Sequence, residues 1–279
     1  MATANRMGGA DRTSDRVFPG LAVVMALVVV AGFSLQLAMG RSSFEAPLLV
    51  HAHAVVFMGW VVIFLVQNLL IATGQLRWHR PLGWLAAAWL APMLILGWLV
   101  TEAMVRRGDV PFFFRPLQFL VFDPLSLATF VGLTIAAVWL RRSTDWHRRL
   151  HYSAMAILLG PAVGRLLPMP LLIPWAWEAT TPVTLAFPVI GMIIDLAKTR
   201  RIHPAWFWGL GVQIAMIAAI EALTWSPLGL QLYQTVTAGS PGAAVAPLAF
   251  PTPPRSAARG LSTTQRRRPR PYPASSAST

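Results

Sequence analysis

Hydrophobic and polar positions change along this chain on the scale of whole helices. Seven apolar runs, at roughly 17–39, 48–73, 82–104, 117–140, 150–172, 179–197 and 205–225, are separated by short polar connections. Each run is close to the ~20 residues that a helix needs to cross a ~30 Å hydrocarbon core. The pattern predicts an all-α integral membrane helical bundle of about seven transmembrane helices. The first run is long for a signal-peptide core, and "LQLAMG" is a poor cleavage site, so it reads as an uncleaved first helix. Residues 1–16 form a short N-terminal segment, 17–225 the bundle and 226–279 a tail. From Ser226 onward Pro, Ala, Ser, Thr, Gly and Arg dominate, a composition unable to bury a core, so the tail is expected to be disordered.

Composition sharpens this picture. The chain is 56% hydrophobic and 12% charged, where a soluble domain carries about a quarter charged residues. The net charge of +13 does not point to nucleic acid, because the arginines sit in short connections and in the tail. One side collects Arg6, Arg12, Arg16, Arg77, Arg80, Arg141, Arg142, Arg148, Arg149, Lys198, Arg200 and Arg201. The other side's loops hold Arg41, Arg106, Arg107 and Arg115. The richer side is expected to be cytoplasmic, which puts the N-terminus inside and the C-terminus in the periplasm of a bacterial inner membrane. Six tail arginines, from Arg255 to Arg270, run against that bias and offer a surface for anionic lipid. The lipid bilayer is otherwise the only partner indicated. There is no cysteine, which excludes disulfides, thiolate catalysis and cysteine-held metals. No nucleophile–base pair, phosphate loop or H-E-x-x-H helix is present, so no catalytic residue is assigned and no metal site is expected.

The chain repeats itself. "LRWHRPLGW" at 76–84 and "TDWHRRLHY" at 144–152 share Trp-His-Arg-x-Leu just before an apolar run. Trp78, His79, Arg80 and Leu82 correspond to Trp146, His147, Arg148 and Leu150. Helices 2–3 and 4–5 thus read as two copies of one hairpin, each with its turn on the same side. Interfacial anchoring by Trp and Arg explains the motif without further function. A site shared by the two copies is the alternative.

Few polar groups interrupt the apolar runs. His147 and His151 are four apart and share a helical face. Arg165 falls on that face about five turns further on, unless Pro161 bends the helix. An intramembrane Arg needs a partner or a cavity, and Asp123, Glu178, Glu221 and Glu102 are the available acids. Asp123 also precedes Pro124, which reads as an N-cap and N1 pair starting helix 4. His51 and His53 are two apart, so one faces inward and one the rim. His53, Trp60 and Gln67 recur every seven residues and mark the inward stripe of helix 2. His-x-His without a third ligand is a weak metal signal.

These residues resemble a family of bacterial predicted polytopic membrane proteins of unknown function. The matching positions are His53 (or His51), Gln67, His79, Arg80, Leu82, Gly83, His147, Arg148 and Arg165, over roughly residues 48–170. His151 departs from the repeat, standing where the first copy has Gly83. The family supports the architecture and brings no activity with it. Three functions stay open. The first is a non-catalytic membrane scaffold or assembly protein, with no cofactor. The second is a proton-coupled transporter or sensor using His51, His53, Gln67, Asp123, Arg165, Glu178 and Glu221. The third is a redox protein holding haem b between His79 and His147 or His151.

Overall fold

The structure is a computed structural model that describes residues 8–42 and 44–252, with side chains from 17 onward. The helices are α1 (Gly8–Ala38), α2 (Leu48–Ala72), α3 (Leu76–Arg107), α4 (Pro116–Trp139), α5 (Thr144–Leu158), α6 (Gly160–Leu166), α7 (Thr181–Thr199), α8 (Pro204–Thr224) and α9 (Pro227–Thr237). No strand occurs among the described residues. Six helices are long and apolar enough to cross a membrane: Val17–Ala38 of α1, α2, α3, α4, α7 with its lead-in from Glu178, and α8. Their mid-helix side chains stand bare, among them Val55, Ile95, Ile135, Ile193 and Phe207. Water would not tolerate so much contiguous apolar surface, whereas lipid would. The chain is a multi-pass membrane protein.

The expected continuous helix at 150–172 is split. α5 ends at Leu158, α6 runs from Gly160 to Leu166, and short 3-10 turns at Met169–Leu172 and Glu178–Thr180 lead into α7. Pro161 in the first turn of α6 has no N–H to give to the helix before it, which accounts for the break. α5 is also the least lipid-like of the long segments, because it is enclosed by protein. Arg149, Leu150 and every residue from Tyr152 to Ile157 are buried, against α4, α7 and α8. A helix with protein on all sides has no need of an apolar surface, and small residues let its neighbours approach. A side chain at Gly209 of α8 would collide with Ser153 of α5, and one at Gly32 of α1 with the Ala162 carbonyl of α6.

Two further expectations are corrected. Helix 4 starts at Pro116, so Asp123 lies inside α4 with Pro124 also within the helix, and it does not cap. The tail is ordered well past Ser226. Ser226 accepts a hydrogen bond from Gly229 N and caps α9, and Tyr233 is buried, donating to the Gly242 carbonyl at 3.0 Å. Arg106 donates to the Val236 carbonyl at 2.6 Å, and Leu117 N to the Pro247 carbonyl at 2.9 Å. The arginine-rich stretch beyond residue 252 lies outside the described residues, as does the N-terminal segment before Gly8.

These contacts sort the molecule into two ends. The connections richest in Lys and Arg gather at one, here the basic end: the His79 and His147 rings meet, Trp146 meets His203, and Arg141 lies over Trp84. The early part of α1 joins them, with Phe18 against Tyr152. α9 and the α3–α4 connection occupy the opposite end.

Candidate functional site

The basic end holds a pair of charges of which sequence reading counted Arg149 only as a topological signal and passed over Asp195. Arg149 of α5 grips Asp195 of α7 through two hydrogen bonds of 2.8 Å, from Nε and from Nη2. Both side chains are over nine-tenths buried. Asp195 also accepts from Trp206 Nε1 at 2.9 Å and from His203 N at 3.2 Å. Arg149 Nη1 reaches Asp145 at 2.7 Å. This is a bidentate, charge-assisted pair with its remaining valences filled. Asp195 stood as the one acid in "GMIIDLAKT", and an acid within an apolar run was the signal available. Tyr152 adds a second fastening by donating to Asn68 Oδ1 at 2.6 Å and to the Phe18 carbonyl, joining α5 to α2 and α1. Gln213 donates to the Ser153 carbonyl at 3.2 Å and joins α8 to α5.

Three of the candidate histidines meet beside this network. The His79 and His147 ring centres are 6.4 Å apart, and those of His147 and His151 are 4.6 Å apart. The duplicated motif therefore brings its two corresponding histidines face to edge. His147 Nδ1 is 2.8 Å from the Ala137 carbonyl. Gln67 Nε2 donates to the His79 carbonyl at 3.2 Å. His203, in the α7–α8 connection, accepts from Ala205 N and caps α8. Burial holds its pKa below the ordinary 6.5, and the Arg149 charge pushes the same way.

The other candidates lie towards the opposite end, in two groups. Asp123 of α4 accepts from Thr101 Oγ1 of α3 at 3.1 Å. Arg165, in the last turn of α6, lies within electrostatic range of Asp123 and of His53 on α2. Among the described residues it makes no ion pair. Its guanidinium instead donates to the Pro161 carbonyl at 2.8 Å and sits 4.2 Å over the Phe33 ring of α1. The Arg165 carbonyl accepts from Gln36 of α1 at 3.0 Å. His53 stacks on Phe57, and its Nδ1 is buried with no hydrogen-bond partner. His51 turns outward to the Phe44 carbonyl at 3.1 Å. Trp60, on the His53 stripe, packs edge-on to Phe130 of α4 at 5.1 Å.

Glu178 and Glu221 are not in the Arg165 group. Glu221 accepts from Gln118 Nε2 at 3.3 Å and from Trp225 Nε1 at 3.1 Å. Glu178 lies within reach of Gln118, Glu221 and Arg115. Arg115 covers the rings of Trp225 and Phe250 at 5.1 and 4.5 Å. The expected outer site of five ionisable groups thus divides, with Glu178 and Glu221 gathered at Gln118 and Asp123 held by Thr101. Thr101 and Gln118 were missed, because an isolated Thr or Gln in an apolar run carries no distinctive sequence signal.

What the fold and these groups define is a class: a helical membrane bundle with polar residues gathered at both ends of its interior. No protein-family model matches the chain, and no curated protein or solved structure matches it either.

Proposed function

We propose that this chain sits in a bacterial inner membrane with its basic end cytoplasmic, and that the Asp123–Arg165–His53 group passes or senses protons, alone or coupled to a small solute. One observation carries this reading. Among the described residues Asp123 and Arg165 make no ion pair, Asp123 being held by Thr101 and Arg165 by the Pro161 carbonyl and the Phe33 ring. Opposite charges in a low-dielectric region attract strongly, and groups meant only for packing relax into contact. Charges left unpaired at membrane depth are available to a proton or a solute. The break between α5 and α6 adds support, since discontinuous helices at membrane depth line binding sites in transporters. His53 Nδ1, buried and unpartnered, is a second position for a proton beside the first. The orientation rests on the Lys and Arg bias of the connections.

Purified protein in liposomes loaded with a pH-sensitive dye tests this. An imposed pH gradient should collapse faster than in empty liposomes, and Asp123→Asn and His53→Gln should restore the slow rate while folding normally. Vesicles with wild-type protein that hold the gradient as long as empty ones sink the proposal.

A scaffold reading has its own observation. Arg149, Asp195, Tyr152, Asn68 and Gln213 spend their hydrogen bonds on joining helices. That describes the basic end's interior and leaves the Asp123 group unexplained, so it stands second. It gains the first place if Asp123→Asn lowers the melting temperature as Arg149→Met does, with no change in proton flux.

A further inference from the structure

We infer that His79 and His147 are opposing ligands of a transition metal, taken either as a free ion or as the iron of a haem. The argument is geometric. A metal–imidazole bond is about 2 Å and the ring centre lies about 1 Å further on, so two imidazoles across one metal have centres about 6 Å apart. Two at a tetrahedral angle have centres about 5 Å apart. The His79–His147 separation of 6.4 Å matches the opposed arrangement. The His147–His151 separation of 4.6 Å is short for two ligands of one metal. Nor does any set of three His, Asp or Glu among the described residues converge on a metal position. The site is therefore a two-histidine clasp, with His151 one turn deeper as a neighbour.

The nitrogen chemistry agrees. His147 Nδ1 is committed to the Ala137 carbonyl at 2.8 Å. A backbone carbonyl can only accept, so Nδ1 carries the proton and Nε2 keeps its lone pair. That is the tautomer a metal-binding histidine needs, fixed by the kind of partner that orients such ligands. His79 Nδ1 is buried and bonded to nothing, and so is Oε1 of the adjacent Gln67. Gln67 Nε2 holds the His79 backbone at 3.2 Å, which steadies the start of α3. A buried imidazole nitrogen without a partner is costly, and a metal bound at His79 Nδ1 would offset that cost. α3 and α5 both pack on α4, and the two histidines meet at the basic ends of these helices. The remaining donors to a bound metal would be porphyrin nitrogens, or solvent for a free ion. Imidazole pairs suit iron, copper, nickel and zinc.

The test uses the full chain, expressed with added haem precursor and trace metals and purified in detergent. Metal analysis and an absorbance spectrum distinguish the two sources. A Soret band with iron near one per chain identifies haem, and copper, nickel or zinc near one per chain without that band identifies a free ion; either supports the clasp. His79→Gln and His147→Gln should each weaken binding by about tenfold or more, while His151→Gln should leave it within about twofold. As a measurement that needs no variant, titrating metal-free wild type with haemin should give a six-coordinate low-spin spectrum, or titrating with Cu(II) an imidazole-type copper spectrum. Wild type that stays metal-free and haem-free and responds to neither titrant overturns the inference. So does binding undiminished in the folded double variant.

Discussion

The basic-end Arg149–Asp195 pair and the Asp123 group each place an arginine and an aspartate inside the same bundle, and they do opposite things with them. Arg149 and Asp195 are locked by two short bonds, and Trp206, His203 and Asp145 fill the rest of their hydrogen-bonding capacity. Asp123 and Arg165 make no ion pair among the described residues, and each is held by another neighbour, Thr101 and the Pro161 carbonyl. The first pair has spent its charge on joining α5 to α7. The second has kept its charge available. In a membrane interior, where an unpaired charge is costly, that difference separates a fastening from a site.

The comparison can be broken at several points. The largest effect should come from Arg149→Met, which strands Asp195 in a buried position. Breaking one half of a buried pair costs about 3–5 kcal/mol, read as a large drop in melting temperature in detergent. The double change Arg149→Met with Asp195→Leu should recover part of that loss, because it removes the stranded charge but leaves Trp206 Nε1 and His203 N without their acceptor. If the single and double variants melt together, the Arg149–Asp195 pair is not a fastening. Tyr152→Phe comes next. It removes the bonds to Asn68 and to the Phe18 carbonyl, and should cost about 0.6–1.7 kcal/mol, the range of interhelical polar contacts in membranes. Asp123→Asn keeps an acceptor for Thr101 and removes a charge that no ion pair needs. Its stability should stay within about 1 kcal/mol of wild type, while proton flux falls to the empty-liposome rate. A loss like that of Arg149→Met would erase the contrast between the two groups.

The smallest effect concerns His203. Its folded pKa is lowered from 6.5 by burial first, so folding favours the neutral ring. The stability it contributes is complete above the unfolded pKa of about 6.5 and is lost as pH falls below it through the folded value. Protonation also takes the Nδ1 lone pair from Ala205 N, uncapping α8. Melts at pH 7.5 and 5.5 should show a slight acid loss that His203→Asn, an alternative cap, reduces. An unchanged acid loss in that variant would assign it to other groups.

How much was legible depended on whether a feature is local. Spans read from runs of apolar residues matched helices closely where lipid is the neighbour, as in α2 and α8. The fifth span was misjudged in continuity because α5 faces protein, and Pro161 breaks it where hydropathy sees only more apolar residues. Residues 226–252 have the composition of a disordered segment, yet they hold α9, because Arg106 and Leu117 N bond to the Val236 and Pro247 carbonyls across the end of the bundle. The repeat pointed to His79 and His147, but their separation depends on how two hairpins pack. Arg165 was marked as needing a partner, and four acids were available. Among the described residues, packing paired it with none of them: Asp123 is held by Thr101, and Glu178 and Glu221 gather at Gln118.

The sequence by itself determined that this chain threads a membrane repeatedly, and which connections share an end, because transfer to hydrocarbon and the Lys and Arg bias depend on each segment's own composition. Tertiary structure alone decided that Arg149 is tied and Arg165 is not. Whether a buried charge is quenched depends on which distant helix brings a partner within bonding distance, and no local pattern encodes that distance.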